Sequence, residues 1–104
     1  MKFFKNLFSK LNTEKNLDLD TVGDDMLLVI AKEYIEALGG KENIKNIYSC
    51  STRLRVCLKE NKIEKDKLIE KGAKKIIDLD DFNYQIVIGE KAIKLEENIN
   101  RYLR

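Results

Sequence analysis

The segment SCSTRLRV, residues 49–56, places a cysteine, hydroxyl side chains and arginines within a few positions of each other. A cysteine thiolate is a nucleophile, and guanidinium charges and backbone N–H groups attract anions. The same donors suit a phosphate group, because the planar guanidinium of Arg53 or Arg55 can contact two of its oxygens. Ser51 and Thr52 add hydroxyl donors. The segment indicates a nucleophile among anion-binding groups.

A second interpretation of the same segment is purely structural. Alternate arginines on an exposed strand are usually solubilising, and free cysteines are usually small buried side chains. We interpret Cys57 in this second way, because it lies in mid-strand without clustered donors of its own. The phosphatase-loop motif, in which an arginine follows the cysteine at a fixed spacing, does not match, because Val56 stands at that position.

The residue types that the chain lacks narrow the chemistry. The 104 residues include no histidine, which excludes Cys–His and Ser–His catalysis and zinc sites that need histidine. The two cysteines are too few for a disulfide framework, so we expect free thiols, as in a reducing cytoplasm. We expect neither a metal nor a cofactor.

The overall charge does not favour a nucleic-acid partner. Lys and Arg number 20 against 18 acidic residues, which gives a net charge of +2, so any attraction for anions must be local. The polar strand face also lacks the paired aromatic side chains that stack RNA bases. We therefore expect no binding to nucleic acid.

The pattern of apolar residues predicts the elements that position the segment. A core-facing helix is expected from Thr21, where Thr21 and Asp24 resemble a capping box, to the stop at Gly39-Gly40. We expect strands at 44–49, 53–60, 74–79 and 84–88, a short helix at 64–71 and a closing helix. The first helix carries a stripe of Met26, Leu27, Ile30, Ala31, Tyr34, Ile35 and Leu38, and the closing helix carries Ala92, Leu95, Ile99, Tyr102 and Leu103.

These elements predict an α+β fold in the order α-β-β-α-β-β-α. Sequential strands pair as two hairpins, which gives a four-stranded antiparallel sheet with helices packed on one face. Leu54, Val56 and Leu58 alternate with the arginines and point to the helices. The other face, with Arg53 and Arg55, is left for solvent or for function.

The first 20 residues differ from the rest, so we divide the chain into an N-terminal amphipathic segment with a linker, 1–20, and a domain, 21–104. Within residues 1–11, apolar side chains recur at helical spacing between lysines. This pattern leaves three alternatives: a helix lying on an anionic membrane surface, a helix that docks on the domain or on a partner, or a frayed tail. Residues 12–20 are polar and are interpreted as a linker.

The order of elements and the run Cys50-Ser51-Thr52-Arg53-Leu54-Arg55 resemble the IIB domain of the glucose-type sugar phosphotransferase system. The resemblance covers about the last three quarters of the chain, with the run CSTRLR matching the family pattern C-x-T-R-L-R. "ALGG" before the cysteine and Gln85 and Gly89 after it support the match. Tyr48 departs from the acidic residue that some members have two positions before the cysteine.

The resemblance implies a phosphocysteine carrier. In that family the cysteine accepts a phosphoryl group from a histidine of a IIA component and passes it to a sugar held by the membrane IIC component. Cys50 would be the phosphorylated residue, and its phosphate-binding partners would be Ser51, Thr52, Arg53, Arg55 and Gln85. The alternative is a IIB-like regulatory or interaction domain that performs no transfer.

The resemblance also sets where the protein is expected to act. The partners would be a IIA component and a membrane IIC component, so we expect a cytoplasmic protein at the inner face of the plasma membrane. Members are often fused to IIC and IIA domains. Because the chain ends at Arg104, we expect either a free-standing IIB protein or a part of a longer chain, and Met1 favours the former.

Overall fold

The structure, a computed structural model, describes residues 16–104 and has the predicted fold. Three helices and four strands follow each other in the order α-β-β-α-β-β-α. The helices are α1 Asp24–Ala37, α2 Lys65–Glu70 and α3 Ala92–Leu103, and the strands are β1 Ile44–Cys50, β2 Arg53–Leu58, β3 Lys75–Asp78 and β4 Asn83–Val87. The predicted segment at residues 1–11 and the first part of the predicted linker lie outside the described residues.

The four strands form one antiparallel sheet in the order β1-β2-β4-β3. Both predicted hairpins, β1–β2 and β3–β4, are present, and they join through the central β2–β4 pair. Helices α1 and α3 pack against each other, and α3 also contacts β1 and β2. The helices therefore cover one face of the sheet, and we call the other side the open face.

The core lies between the sheet and the helices. Alternation along β2 sends Leu54, Val56 and Leu58 into the core, where each is at most 2% exposed. Each such aliphatic side chain contributes about 1.5–3 kcal/mol when it is fully buried. Burial of these three side chains thus stabilises the strand whose other side presents the arginines to the open face.

Helix α1 ends at the predicted glycine stop. Gly39 has a φ of 98°, and its N–H donates to Glu36 O at 3.1 Å. The N–H of Gly40 reaches back to Ile35 O at 2.9 Å, which completes a Schellman motif. This motif turns the chain from α1 toward β1.

The predicted start of α1 is wrong in its details. The helix begins at Asp24 after an N-cap at Gly23, which makes no side-chain capping bond. The Thr21 hydroxyl instead donates to Asp18 O at 2.9 Å and closes a short 3-10 turn. Thr21 is therefore held by an upstream carbonyl and does not cap α1.

The apolar stripes are confirmed except at their margins. Met26 is 50% exposed and Tyr102 is 37% exposed, whereas the other predicted stripe residues of α1 are buried. Met26 lies at the edge of the buried arc of α1, where a helix turns each successive side chain away from its neighbour. The helical period of apolar residues predicts burial least accurately for residues at such an edge.

Residues just before Thr21 pack on the domain. Leu19 is 2% exposed, and the N–H of Leu17 donates to Glu70 O at 3.1 Å. A Cβ at Gly72 would lie 2.4 Å from Leu19 Cγ, so the glycine makes room for this leucine. The division of the chain at residue 20 remains a prediction, but Leu19 packs with the residues that follow it.

Within residues 16–104, no helix is both long enough and apolar enough to cross a lipid bilayer.

Candidate active site

The strand register arranges the open face as rows of side chains. Directly paired residues of antiparallel strands point to the same side of the sheet, about 4.5–5.5 Å apart at Cβ. The first row is Cys50, Arg53, Val87 and Lys75; the second is Tyr48, Arg55, Gln85 and Ile77; the third is Asn46, Cys57 and Asn83. The rows bring Cys50, Arg53, Arg55 and Gln85 together at one end of the open face.

Cys50 is the last residue of β1 and is exposed, with a free thiol. The strands expected at 44–49 and 53–60 left Cys50 in the turn between them. In the structure it lies at the strand end, directly before the turn at Ser51 and Thr52. Ser51 has a φ of 58°, the left-handed region that glycine favours, and no other non-glycine residue among 16–104 has a positive φ. Strained residues of this kind cluster at functional sites, which draws attention to this turn.

The turn is held by one carbonyl. Thr52 O accepts hydrogen bonds from Ile88 N at 2.8 Å and from Gly89 N at 2.9 Å, which ties the turn to the connection between β4 and α3. The backbone N–H groups of Ser51 and Thr52 donate to no acceptor within the described part of the chain. The turn is therefore fixed in place while its donors beside Cys50 remain available to an anion.

Arg53 is oriented by Gln85. The Nη1 group of Arg53 donates to Gln85 Oε1 at 2.9 Å, across β2 and β4. A guanidinium has five N–H donors, so most of the Arg53 donors remain for another acceptor. Because the Gln85 oxygen already accepts from Arg53, we expect Gln85 to act chiefly by positioning this arginine.

Arg55 lies deeper in the open face than Arg53. It is partly buried between its cross-strand neighbours Tyr48 and Gln85, and its Nε is buried without a hydrogen-bond partner in the described structure. Neither Arg53 nor Arg55 forms an ion pair with a carboxylate of residues 16–104. Two positive charges thus stand beside Cys50 without a protein counter-charge.

A polar cluster beneath the strand end was not anticipated from the sequence. Glu96 of α3 accepts from Ser49 Oγ at 3.2 Å and from Asn100 Nδ2 at 2.6 Å. Asn100 Nδ2 also donates to Ile47 O at 3.3 Å, on the outer edge of β1. The Ser49–Glu96 bond spans 47 positions of the sequence and the Asn100–Ile47 bond spans 53, so no local pattern could have revealed either of them.

Cys57 lies on the same open face but in the third row. It is four positions along β2 from Arg53, the partner of Cys50, which corresponds to about 13 Å along the strand. Both thiols are free, and this separation is too large for a disulfide between them. Residues 16–104 also contain no cluster of side chains suited to hold a metal ion.

Comparisons with known proteins point to one family. The family described as "phosphotransferase system, EIIB" matches residues 32–63, which include Cys50 and both arginines. The chain is 39% identical over 72 residues to the PTS system maltose-specific EIICB component of Bacillus subtilis (strain 168), which covers 67% of this chain and 14% of the relative. It is 33% identical over 70 residues to the PTS system N-acetylglucosamine-specific EIICBA component of Escherichia coli (strain K12), which covers 66% of this chain and 11% of that relative.

A solved structure agrees with the sequence relatives. One domain of the PTS system IIabc component from Clostridium difficile superposes with a TM-score of 0.65 and 26% identity. The match covers 77% of this chain and 85% of that chain. The alignments to the two sequence relatives span only 14% and 11% of their length.

Proposed function

The chain belongs to the IIB family of the glucose-type phosphotransferase system, and we propose that it is a phosphocysteine carrier. In this proposal Cys50 takes a phosphoryl group from a histidine of a IIA component and passes it to a sugar bound by a IIC component. The observation that carries the proposal is the environment of Cys50. The thiol is exposed, beside a turn with available N–H donors and beside arginines without ion-pair partners.

The first transfer forms one bond and breaks another. The Cys50 thiolate attacks the phosphorus of the partner's phosphohistidine, the S–P bond forms, and the N–P bond breaks with its electron pair returning to the imidazole. Phosphoryl transfer is catalysed mainly by positioning and by stabilising charge on the phosphoryl oxygens. In this proposal the donors at Ser51, Thr52 and Arg53 supply that charge stabilisation, and Cys50 supplies the nucleophile.

The second transfer reverses the role of the sulfur. A sugar hydroxyl oxygen attacks the phosphorus, the S–P bond breaks, and the Cys50 thiolate leaves. The hydroxyl proton passes to a base of the sugar-binding component. Arg53 and Arg55 lie on the rigid central strand β2, so they can hold the phosphoryl oxygens through both steps without moving with either partner.

The proposed partners follow from the same scheme. The relatives named as EIICB and EIICBA components are specific for maltose or N-acetylglucosamine, so a sugar is the proposed final acceptor. We place the protein in the cytoplasm at the inner face of the plasma membrane. Residues 1–11 would contact the membrane surface through apolar side chains flanked by lysines, which vesicle sedimentation tests.

Mass spectrometry tests the carrier role directly. The full chain is incubated with phosphoenolpyruvate, the general phosphotransferase proteins and a IIA component, and we expect the mass to rise by one phosphoryl group. Cys50→Ser should abolish the stable phosphocysteine, and the matched variant Cys57→Ser should retain it. Modification that persists in Cys50→Ser and is lost in Cys57→Ser would mean that the wrong thiol has been chosen. No modification of the unaltered chain would favour the non-catalytic regulatory or interaction domain.

A further inference from the structure

A shallow hollow of about 640 Å³ lies on the open face, next to the proposed phosphoryl site and on the side away from Cys50. This volume is within the range of about 300–1,000 Å³ that is usual for small-molecule sites. Among the residues that line it are Lys45, Asn46, Tyr48, Arg55, Asp80 and Asn83. Arg55 belongs both to the hollow and to the cationic surroundings of Cys50.

Two cationic side chains line the hollow. Lys45 and Arg55 make no ion pair with any carboxylate in the described residues, and the buried Nε of Arg55 has no acceptor there. The guanidinium of Arg55 can contact two oxygens of a phosphate in forked geometry, and Lys45 adds a second positive charge. The cations of the hollow therefore favour a phosphate group.

The hollow also contains a carboxylate that hydrogen bonds hold in place. Asp80 Oδ1 accepts from Phe82 N and Asn83 N at 2.8 Å and from Asn83 Nδ2 at 3.0 Å, whereas within residues 16–104 Oδ2 accepts only from Asn83 Nδ2. The hydrogen bond from Phe82 N–H lowers the pKa of Asp80 most, and the bond from the Asn83 side chain lowers it further, so the group stays ionised. Its Oδ2 can accept a further hydrogen bond from a hydroxyl group.

An exposed aromatic side chain also lines the hollow. Tyr48 is 46% exposed and lies beside Arg55 as its cross-strand neighbour. An exposed aromatic ring can pack against the apolar C–H face of a sugar ring, as it does against other flat apolar surfaces. The lining of the hollow thus combines cations, an aromatic ring and a hydroxyl acceptor.

We propose that this hollow binds a sugar phosphate, the product class of the proposed transfer, with the phosphate on Arg55 and Lys45 and the sugar ring on Tyr48. The inference rests on the proposed function for its choice of ligand. Because Arg55 contributes to both sites, bound sugar phosphate competes with phosphorylation of Cys50. The hollow then makes phosphoryl flow sensitive to accumulated product.

NMR titration of the full chain, without any phosphoryl donor, tests binding separately from phosphoryl transfer. The probes are glucose 6-phosphate, glucose and inorganic phosphate. We expect glucose 6-phosphate to shift the amide signals of Lys45, Tyr48, Arg55 and Asn83 in a saturable way. Glucose or inorganic phosphate alone should bind more weakly, because each engages only part of the lining.

Variants outside the proposed phosphoryl machinery sharpen the test. Lys45→Gln and Tyr48→Ala should each weaken glucose 6-phosphate binding by at least about threefold, the equivalent of one modest contact. Lys32→Gln removes the same charge from an exposed position on α1 and should change nothing. In the relay assay, glucose 6-phosphate should slow phosphorylation of the unaltered chain, and Tyr48→Ala should relieve this inhibition.

Three results would overturn the inference. One is the absence of any saturable shift with glucose 6-phosphate, and another is equal affinity for inorganic phosphate, which would leave a simple anion site. The third is shifts confined to the turn at Ser51 and Thr52 that neither variant alters. Each of these leaves the phosphorylation of Cys50 untouched, so failure of the hollow and failure of the carrier role are distinguishable.

Discussion

Replacement of Arg53 by lysine tests whether the geometry of the guanidinium matters beyond its charge. Arg53 donates one N–H to Gln85 and keeps the rest of its five donors for a phosphoryl group. A lysine keeps the charge but has three donors on a single nitrogen, so it cannot contact two phosphoryl oxygens in the forked geometry. The variant should lose one charge-assisted hydrogen bond to the transferring group.

The size of the effect follows from that single contact. A hydrogen bond to a charged group contributes about 1.5–3 kcal/mol. If this contact strengthens in the transition state, its loss slows transfer by about 10- to 150-fold. The thermal midpoint should stay unchanged, because Arg53 is exposed and its only side-chain bond within the described residues is to Gln85.

The assay is rapid-quench measurement of phosphoryl transfer from phosphorylated chain to sugar, in membranes that contain the IIC component. Arg101→Lys is the matched control, because Arg101 is exposed on α3 and lies away from the open face. Equal rates for Arg53→Lys and for Arg101→Lys would refute the role given to the guanidinium. A fall in rate accompanied by an equal fall in thermal midpoint would refute it too, since the arginine would then act on folding.

Two further outcomes are expected. Burial raises the pKa of Tyr34, so the stability tied to its neutral phenol is present below pH 10.0, the ordinary value, and is lost as pH rises above it. Tyr34→Phe removes the hydrogen bond from Tyr34 to Lys71 O and should lower the free energy of unfolding by about 1 kcal/mol at neutral pH. Above pH 10.0 the urea midpoint of this variant should fall less steeply than that of the unaltered chain. In vesicle sedimentation, the full chain should bind anionic vesicles more than a chain starting at Asn16, which keeps the buried Leu19, and salt should weaken the binding. Equal, negligible sedimentation of both chains would end the membrane-contact proposal.

The sequence was sufficient for those parts of the fold that depend on neighbours along the chain. Alternation in β2 separates Leu54 from Arg53 and Arg55, and the Gly39-Gly40 pair ends α1 as expected. These features are local, because side-chain direction in a strand and left-handed backbone at a helix end follow from a few consecutive residues. Both hairpins are local in the same sense.

Long-range features of the site needed the structure. The central β2–β4 pair brings Gln85 within hydrogen-bonding distance of Arg53, 32 positions away, and no spacing rule predicts such a pair. The bond between Ser49 and Glu96 spans a longer separation of 47 positions. Residue type also misleads where one hydroxyl can serve in two ways: Thr21 was expected to accept an N–H of α1 as a cap, but its hydroxyl donates to Asp18 O.

The exposure of Cys50 is consistent with the two transfers proposed for it. A group that must meet first a donor protein and then a membrane-bound acceptor cannot lie in a closed pocket, so water exclusion has to come from each partner in turn. The chain itself must then supply what is common to both steps, which is a fixed set of donors. The two bonds to Thr52 O and the Gln85 contact to Arg53 provide this, because they fix the turn and the arginine on the sheet before any partner arrives. An exposed thiol on a rigid support is therefore what a two-partner phosphoryl carrier requires.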